Sequence, residues 1–198
     1  LTAASLAVLA AAPAQYLGRQ QDDLLYIISS HALLGGGYSL FTTPGAPPLT
    51  MITPGFPALL LPATWIFGER HAAHQVVCAL IQAGIPWLLW AWLRRRCEES
   101  VAVLIAVLWA TSPIVLSQAG TVMTEATYTG LSVAMLLGLE QNHSSGYLGA
   151  LLLALTQIRP AGLSLLPAAL APALSQGRRR EAVKIIAWPA LGVLLWSA

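Results

Sequence analysis

The sequence predicts an all-α protein, a polytopic transmembrane helical bundle, on three observations. Of its 198 residues, 57% are hydrophobic and only 9% charged, against roughly 25% charged in an average soluble domain. The apolar residues come in runs long enough to cross a hydrocarbon core, which takes about 20 residues of helix at about 1.5 Å rise each. Seven of the ten Lys and Arg residues fall in two clusters, Arg94-Arg95-Arg96 and Arg178-Arg179-Arg180 with Lys184, as expected of short loops kept on the cytoplasmic side of a membrane.

Taken in order, the apolar runs place helices near residues 1–16, 72–93, 101–117, 125–139, 146–158, 160–175 and 183–198 of one transmembrane domain. The opening LTAASLAVLAAAPAQ could be the tail of a signal peptide, with Ala12-Pro13-Ala14 as a small-residue cleavage site, but an uncleaved first helix is the favoured reading. The chain starts at Leu1 and stops at Ala198, each inside an apolar run, and reads as a piece of a longer protein. Residues 17–71 form a long external loop, polar up to residue 55, with Gly35-Gly36-Gly37 and five prolines between Pro44 and Pro57. Its last part, residues 54–67 (PGFPALLLPATWIF), is apolar but too short to cross, so it reads as an interfacial helix. With both basic clusters cytoplasmic, this loop, the turn at 117–125 and the break at 158–160 share the opposite face.

Several function classes lose support on composition alone. A net charge of +2 without aromatics among the basic clusters argues against nucleic-acid binding. Cys78 and Cys97 give no disulfide framework and no C-x-x-C ligand pair. His71 and His74, spaced i, i+3 beside Glu69, lack a third His or Cys ligand, and Asn142-His143-Ser144 falls on the cytoplasmic side, where a glycosylation pattern is chance. The three glycines lack the strand and helix context of a phosphate loop.

Three charged positions stand out because charge is scarce. Asp22-Asp23 follow the first helix and precede Tyr26. Two acids in an exposed loop are commonly just solvated, but a carboxylate at an apolar boundary is partly desolvated, which suits a general base. Glu125 opens the fourth predicted helix, where it either complements the helix dipole, worth about 0.3–1 kcal/mol, or faces a cavity and acts on substrate. Arg159 sits between two apolar runs, where an unpaired charge costs at least ~2.5 kcal/mol, so an anion belongs beside it. That anion is a carboxylate such as Glu125 or Asp22, or a phosphate gripped by paired N–H donors. Pro160 breaks the helix there and frees backbone groups beside a polar cavity.

With these residues placed, the sequence resembles the GT-C glycosyltransferases, in the branch of the protein O-mannosyltransferases and the aminoarabinose transferase that modifies lipid A. The matching features run in order: Asp22, Asp23 and Tyr26 after the first helix; Gly37-Tyr38, then a Pro-rich stretch ending in PGFPALLLP and Phe67-Gly68; Met123-Thr124-Glu125; and Ile158-Arg159-Pro160. The resemblance implies a GT-C transmembrane module with juxtamembrane helices in the first external loop. It further implies an inverting sugar transfer from a polyprenyl-phosphate-linked donor to a hydroxyl or amine of a lipid, polysaccharide or protein acceptor. Asp22 carries over as the catalytic base, Asp23 stands where the family more often has Glu, and Glu125 is the second acid. Arg159 matches the basic residue that binds the donor phosphate, and Tyr26, Tyr38 and Thr124 join as substrate-pocket candidates. No cofactor is required by the pattern, and a divalent cation, Mg or Mn, is compatible with it. The expected setting is a bacterial inner membrane, among membrane lipids, with the active site facing the periplasm. A transporter or flippase of a lipid-linked substrate, or a non-catalytic membrane scaffold, would use the same charges differently.

Overall fold

Every regular element described in the computed structural model, which covers residues 1–12, 20 and 22–197, is helical, apart from an isolated bridge between Ser39 and Pro48. In order these are α1 (Thr2–Ala11), α2 (Asp23–Leu34), α3 (Gly55–Phe67), α4 (His71–Leu93), α5 (Glu99–Ala110), α6 (Pro113–Gln118), α7 (Thr124–Glu140), α8 (Ser145–Ile158), a 3-10 turn (Pro160–Leu165), α9 (Leu166–Ser175) and α10 (Arg179–Ser197).

The all-helical expectation stands, but the polytopic one does not. Among the described residues, only α4, with 23 residues, is both long and apolar enough to cross a bilayer. Its length, about 35 Å at 1.5 Å per residue, exceeds the roughly 30 Å hydrocarbon core. The run at 101–117 is cut by the turn before Pro113 into α5, of 12 residues, and α6, of 6. That at 160–175 is a 3-10 turn followed by a 10-residue helix, and the one at 146–158 gives only 14 residues. At 125–139 the helix has 17 residues, with Glu125 and Glu140 near its ends. At 183–198 it has 19 but begins at Arg179 and so includes Arg180, Glu181 and Lys184. The first run yields 10 helical residues, α1; its residues 13–16, including Pro13 and Ala14 of the cleavage motif, lie outside the described residues, as do residues 17–19 and 21 of the loop. Sequence reading overcounted spans because Pro113, Ala119 and Pro160 keep the composition apolar while ending helices.

The segment read as a polar loop also holds a helix. In α2 the buried residues Asp23, Ile27 and Ser30 recur at helical spacing, and Ile27 packs with Phe56 and Leu60 of α3 and Cys78 of α4. Val122 and Ile158 close the same core, bringing the start of α7 and the end of α8 to α2. A second core joins α7 to α10 through Met135, Leu152, Leu155, Ala169 and Ile185; a third joins α1, α4, α5 and the end of α6 through Val8, Ala83, Ala110 and Ala119.

Two ends result. Arg96 pairs with Glu140, so α4 and α7 finish together. Asn142 and His143 line a cleft with Arg178 and Glu181, so the second basic cluster joins that end. The opposite end carries Glu125, Arg159 and the start of α2, about 22 Å away along the 15 residue steps of α7 from Glu140 to Glu125.

Backbone contact is close at Gly162, where a Cβ would lie 2.5 Å from the carbonyl carbon of Leu155. Gly162→Ala is expected to cost about 1–3 kcal/mol, read as a lower Tm. Gly84→Ala, where a Cβ meets nothing within 4 Å, should leave Tm unchanged or raise it.

Candidate functional site

Arg159 owes its place to Pro160. A residue before proline is driven out of the helical region, and Arg159 is extended at φ −148°, ψ 132°, ending α8. Its side chain therefore leaves a helix end rather than a helix face. Gly55 lets the start of α3 press against Gln157, where a Cβ would be 2.5 Å from the backbone. Tyr128 donates from its hydroxyl to the Ala161 carbonyl at 3.4 Å, tying α7 to the 3-10 turn.

Glu125, in the first turn of α7, receives Arg159: Nη1 donates to Oε1 at 3.1 Å. The two side chains are 37% and 44% exposed, so the pair contributes about 0–1 kcal/mol, the range of solvent-exposed ion pairs. The other carboxylate oxygen, Oε2, is buried without a hydrogen-bond partner among the described residues.

Arg159 and Asp22 line one open cavity of about 480 Å³, within the roughly 300–1,000 Å³ of small-molecule sites. Tyr26 and Thr53 add polar groups, while Leu25, Ile52 and Ile158 make its apolar walls. Asp22 is the N-cap residue of α2, yet its side chain makes no capping bond, which leaves the carboxylate to the cavity. Asp23 is different. It is buried, its Oδ1 accepts from the Leu24 amide at 2.6 Å, and it does not line the cavity. Glu125 does not line it either, and reaches it through Arg159.

Tyr26 sits among all of these groups. Its ring meets Phe56 edge to face at 4.8 Å. Burial pushes its phenol above the ordinary 10.0; a hydrogen bond with the buried Thr124 opposes this, the Asp22 and Glu125 charges add to it, and Arg159 lowers it. Thr124 thus acts on the cavity only through Tyr26. Tyr38 stands further away, beside a second, more apolar groove of about 730 Å³ that shares Pro48, Leu49 and Thr50 with the first. Its hydroxyl donates to the Ile52 carbonyl at 2.8 Å, and burial pushes its phenol up to about 12.

The histidine pair does not make a metal centre. Both ring nitrogens of His74 are engaged, Nδ1 with the Arg70 carbonyl at 3.0 Å and Nε2 with the Thr64 hydroxyl at 2.9 Å. No group of three or more His, Cys, Asp or Glu that could hold a metal ion occurs among the described residues. Cys78 and Cys97 are both free thiols.

Comparison with protein-family models, curated proteins and solved structures gives no match. Sequence reasoning had singled out Asp22, Tyr26, Glu125 and Arg159, which the fold gathers, but missed Gly55, Gly162 and Tyr128. Tyr128 had a usable signal, since it follows Glu125 at i, i+3 on the same face of α7.

A raised phenol pKa favours the folded state below the unfolded value of 10 and loses that contribution as pH rises through the folded value. For Tyr38 the loss falls between pH 10 and about 12. Stability is expected to decline over that window, and Tyr38→Phe should flatten the decline in denaturant titrations followed at each pH.

Proposed function

We propose that the chain is a glycosyltransferase, GT-C-like in its chemistry, that moves a sugar from a polyprenyl phosphate to an acceptor hydroxyl or amine. One observation carries the reading: Asp22 and Arg159, 137 positions apart in sequence, line the same 480 Å³ cavity. A carboxylate and a guanidinium across an open cavity supply what sugar transfer from a phosphate needs, a proton acceptor on one side and charge neutralisation for the leaving group on the other.

In the proposed step Asp22 takes the proton of the acceptor hydroxyl as its oxygen bonds to the anomeric carbon through an oxocarbenium-like state. The bond from that carbon to the phosphate oxygen breaks, and its electron pair stays on the polyprenyl phosphate. Arg159 then grips the phosphate through paired N–H donors. Its bond to Glu125 does not stand in the way. An exposed pair worth about 1 kcal/mol or less is easily exchanged or shared, and Glu125 serves to hold the guanidinium in place. The Tyr26 phenol remains protonated at neutral pH and can donate to a sugar or phosphate oxygen. The groove beside the cavity, walled by Leu153, Leu191 and Trp196, offers apolar surface for the donor's tail.

The proposed setting is the bacterial inner membrane. Arg94-Arg95-Arg96 close α4, and cationic flanks stay cytoplasmic. The cavity belongs to the opposite end of the molecule, which would then face the periplasm and a lipid, polysaccharide or protein acceptor.

Transfer of radiolabelled sugar from a polyprenyl-phosphate donor by the full-length protein tests the reading. Asp22→Asn and Arg159→Ala should each lower kcat/KM by at least about 100-fold, while Asp23→Asn should lower stability more than turnover. Near-native transfer by both of the first two variants would remove the site assignment. A protein that moved labelled lipid between leaflets without glycosylating any acceptor would be a flippase instead.

A further inference from the structure

A further groove lies away from this cavity, where α3 turns into α4. Gly68, at φ +63°, reverses the chain there, and α4 starts at His71. On the inner side, the Thr64 and His74 side chains hold the turn by their 2.9 Å bond, continued by the 2.7 Å bond between the Ser30 and Thr64 hydroxyls. Against that fixed base the outer side leaves a cavity of about 500 Å³. Ala63 and Ala73 give it depth, and Pro62, Ile66, Phe67 and Val76 line it. Arg70 is the one ionic residue of the lining and contributes its carbon stem to an almost wholly apolar surface; its guanidinium, on an exposed residue, has no ion-pair partner among the described residues.

We propose that this groove binds a membrane phospholipid, with its phosphate on Arg70 and an acyl chain between α3 and α4. Charge complementarity selects the occupant: an apolar trough with a single cation at its edge fits an amphiphile with one anionic group and a hydrocarbon chain. Position agrees. Arg70 immediately precedes the one described helix long and apolar enough to cross a bilayer, at headgroup depth if α4 crosses, and Trp65, 77% exposed on α3, is a residue type enriched at membrane interfaces. Ile66, Phe67 and Val76, between 50% and 62% exposed, would be covered by the chain. The inference does not depend on the glycosyltransferase chemistry, since neither Asp22 nor Arg159 lines this groove.

Native mass spectrometry of the full-length protein with added phosphatidylglycerol tests it. A bound lipid is expected on the wild type, with affinity about tenfold lower in Arg70→Gln and largely restored in Arg70→Lys. Val76→Trp, which fills the groove from an exposed position, should also lose the lipid, and Arg159→Ala should keep it. Equal binding by wild type and Arg70→Gln would overturn the proposal, as would diacylglycerol binding as tightly as phosphatidylglycerol. Loss in Arg159→Ala would move the lipid to the other cavity and overturn it too. A changed oligomeric state in Val76→Trp with lipid retained would give the groove to a second copy of the chain.

Discussion

A proline that forces its predecessor out of the helix is the constraint on which the arrangement rests. Were α8 to continue through residue 159, the arginine would project from a helix face already packed against neighbouring helices. Pro160 instead ends the helix and leaves Arg159 extended, free to reach both Glu125 and the cavity. The reversal is tight enough that only glycine fits at 162, and the end of α8 is close enough to α3 that only glycine fits at 55. Local backbone chemistry, more than the ion pair itself, fixes where the guanidinium stands.

This explains what the sequence shows and what it hides. Charges in a chain with 9% charged residues are conspicuous, so Asp22, Glu125 and Arg159 could be picked out, and their convergence followed from apolar runs read as antiparallel connections. Span counting failed for a related reason. Hydropathy registers composition, and the breaks at Pro113 and Pro160 are only a few residues long, too short to interrupt the apolar runs around them. The helix α2 was obscured by its flanks, two aspartates before it and three glycines after it. Which of the two aspartates meets the cavity is not legible either, because it depends on whether the N-cap or the first helical residue turns inward. Asp23 does so and is buried.

The charge distribution also separates tasks. Arginines at the far end are paired within the protein, Arg96 with Glu140 and Arg178 with Glu181, or stacked on indoles, as Arg94 is on Trp90 at 4.6 Å. At the cavity end Arg159 pairs with Glu125 at a similar exposure, and in Glu125 as in Glu140 the second carboxylate oxygen is buried without a hydrogen bond among the described residues. What sets the cavity end apart is that its paired arginine also lines an open cavity together with a second carboxylate, Asp22.

The walls of the cavity are made by different means. Asp22 stands on α2, which is linked to α3 and α4 through the buried Ser30, Thr64 and His74 side chains, whereas residues 47–53 belong to an irregular segment held by a few bonds such as Tyr38 to Ile52. Chemistry and selectivity therefore sit on separable parts. Residues such as Thr50 and the fully exposed Met51 can be exchanged to admit a different guest while the aspartate and arginine keep their mutual position, a division that lets one scaffold be retuned without being rebuilt.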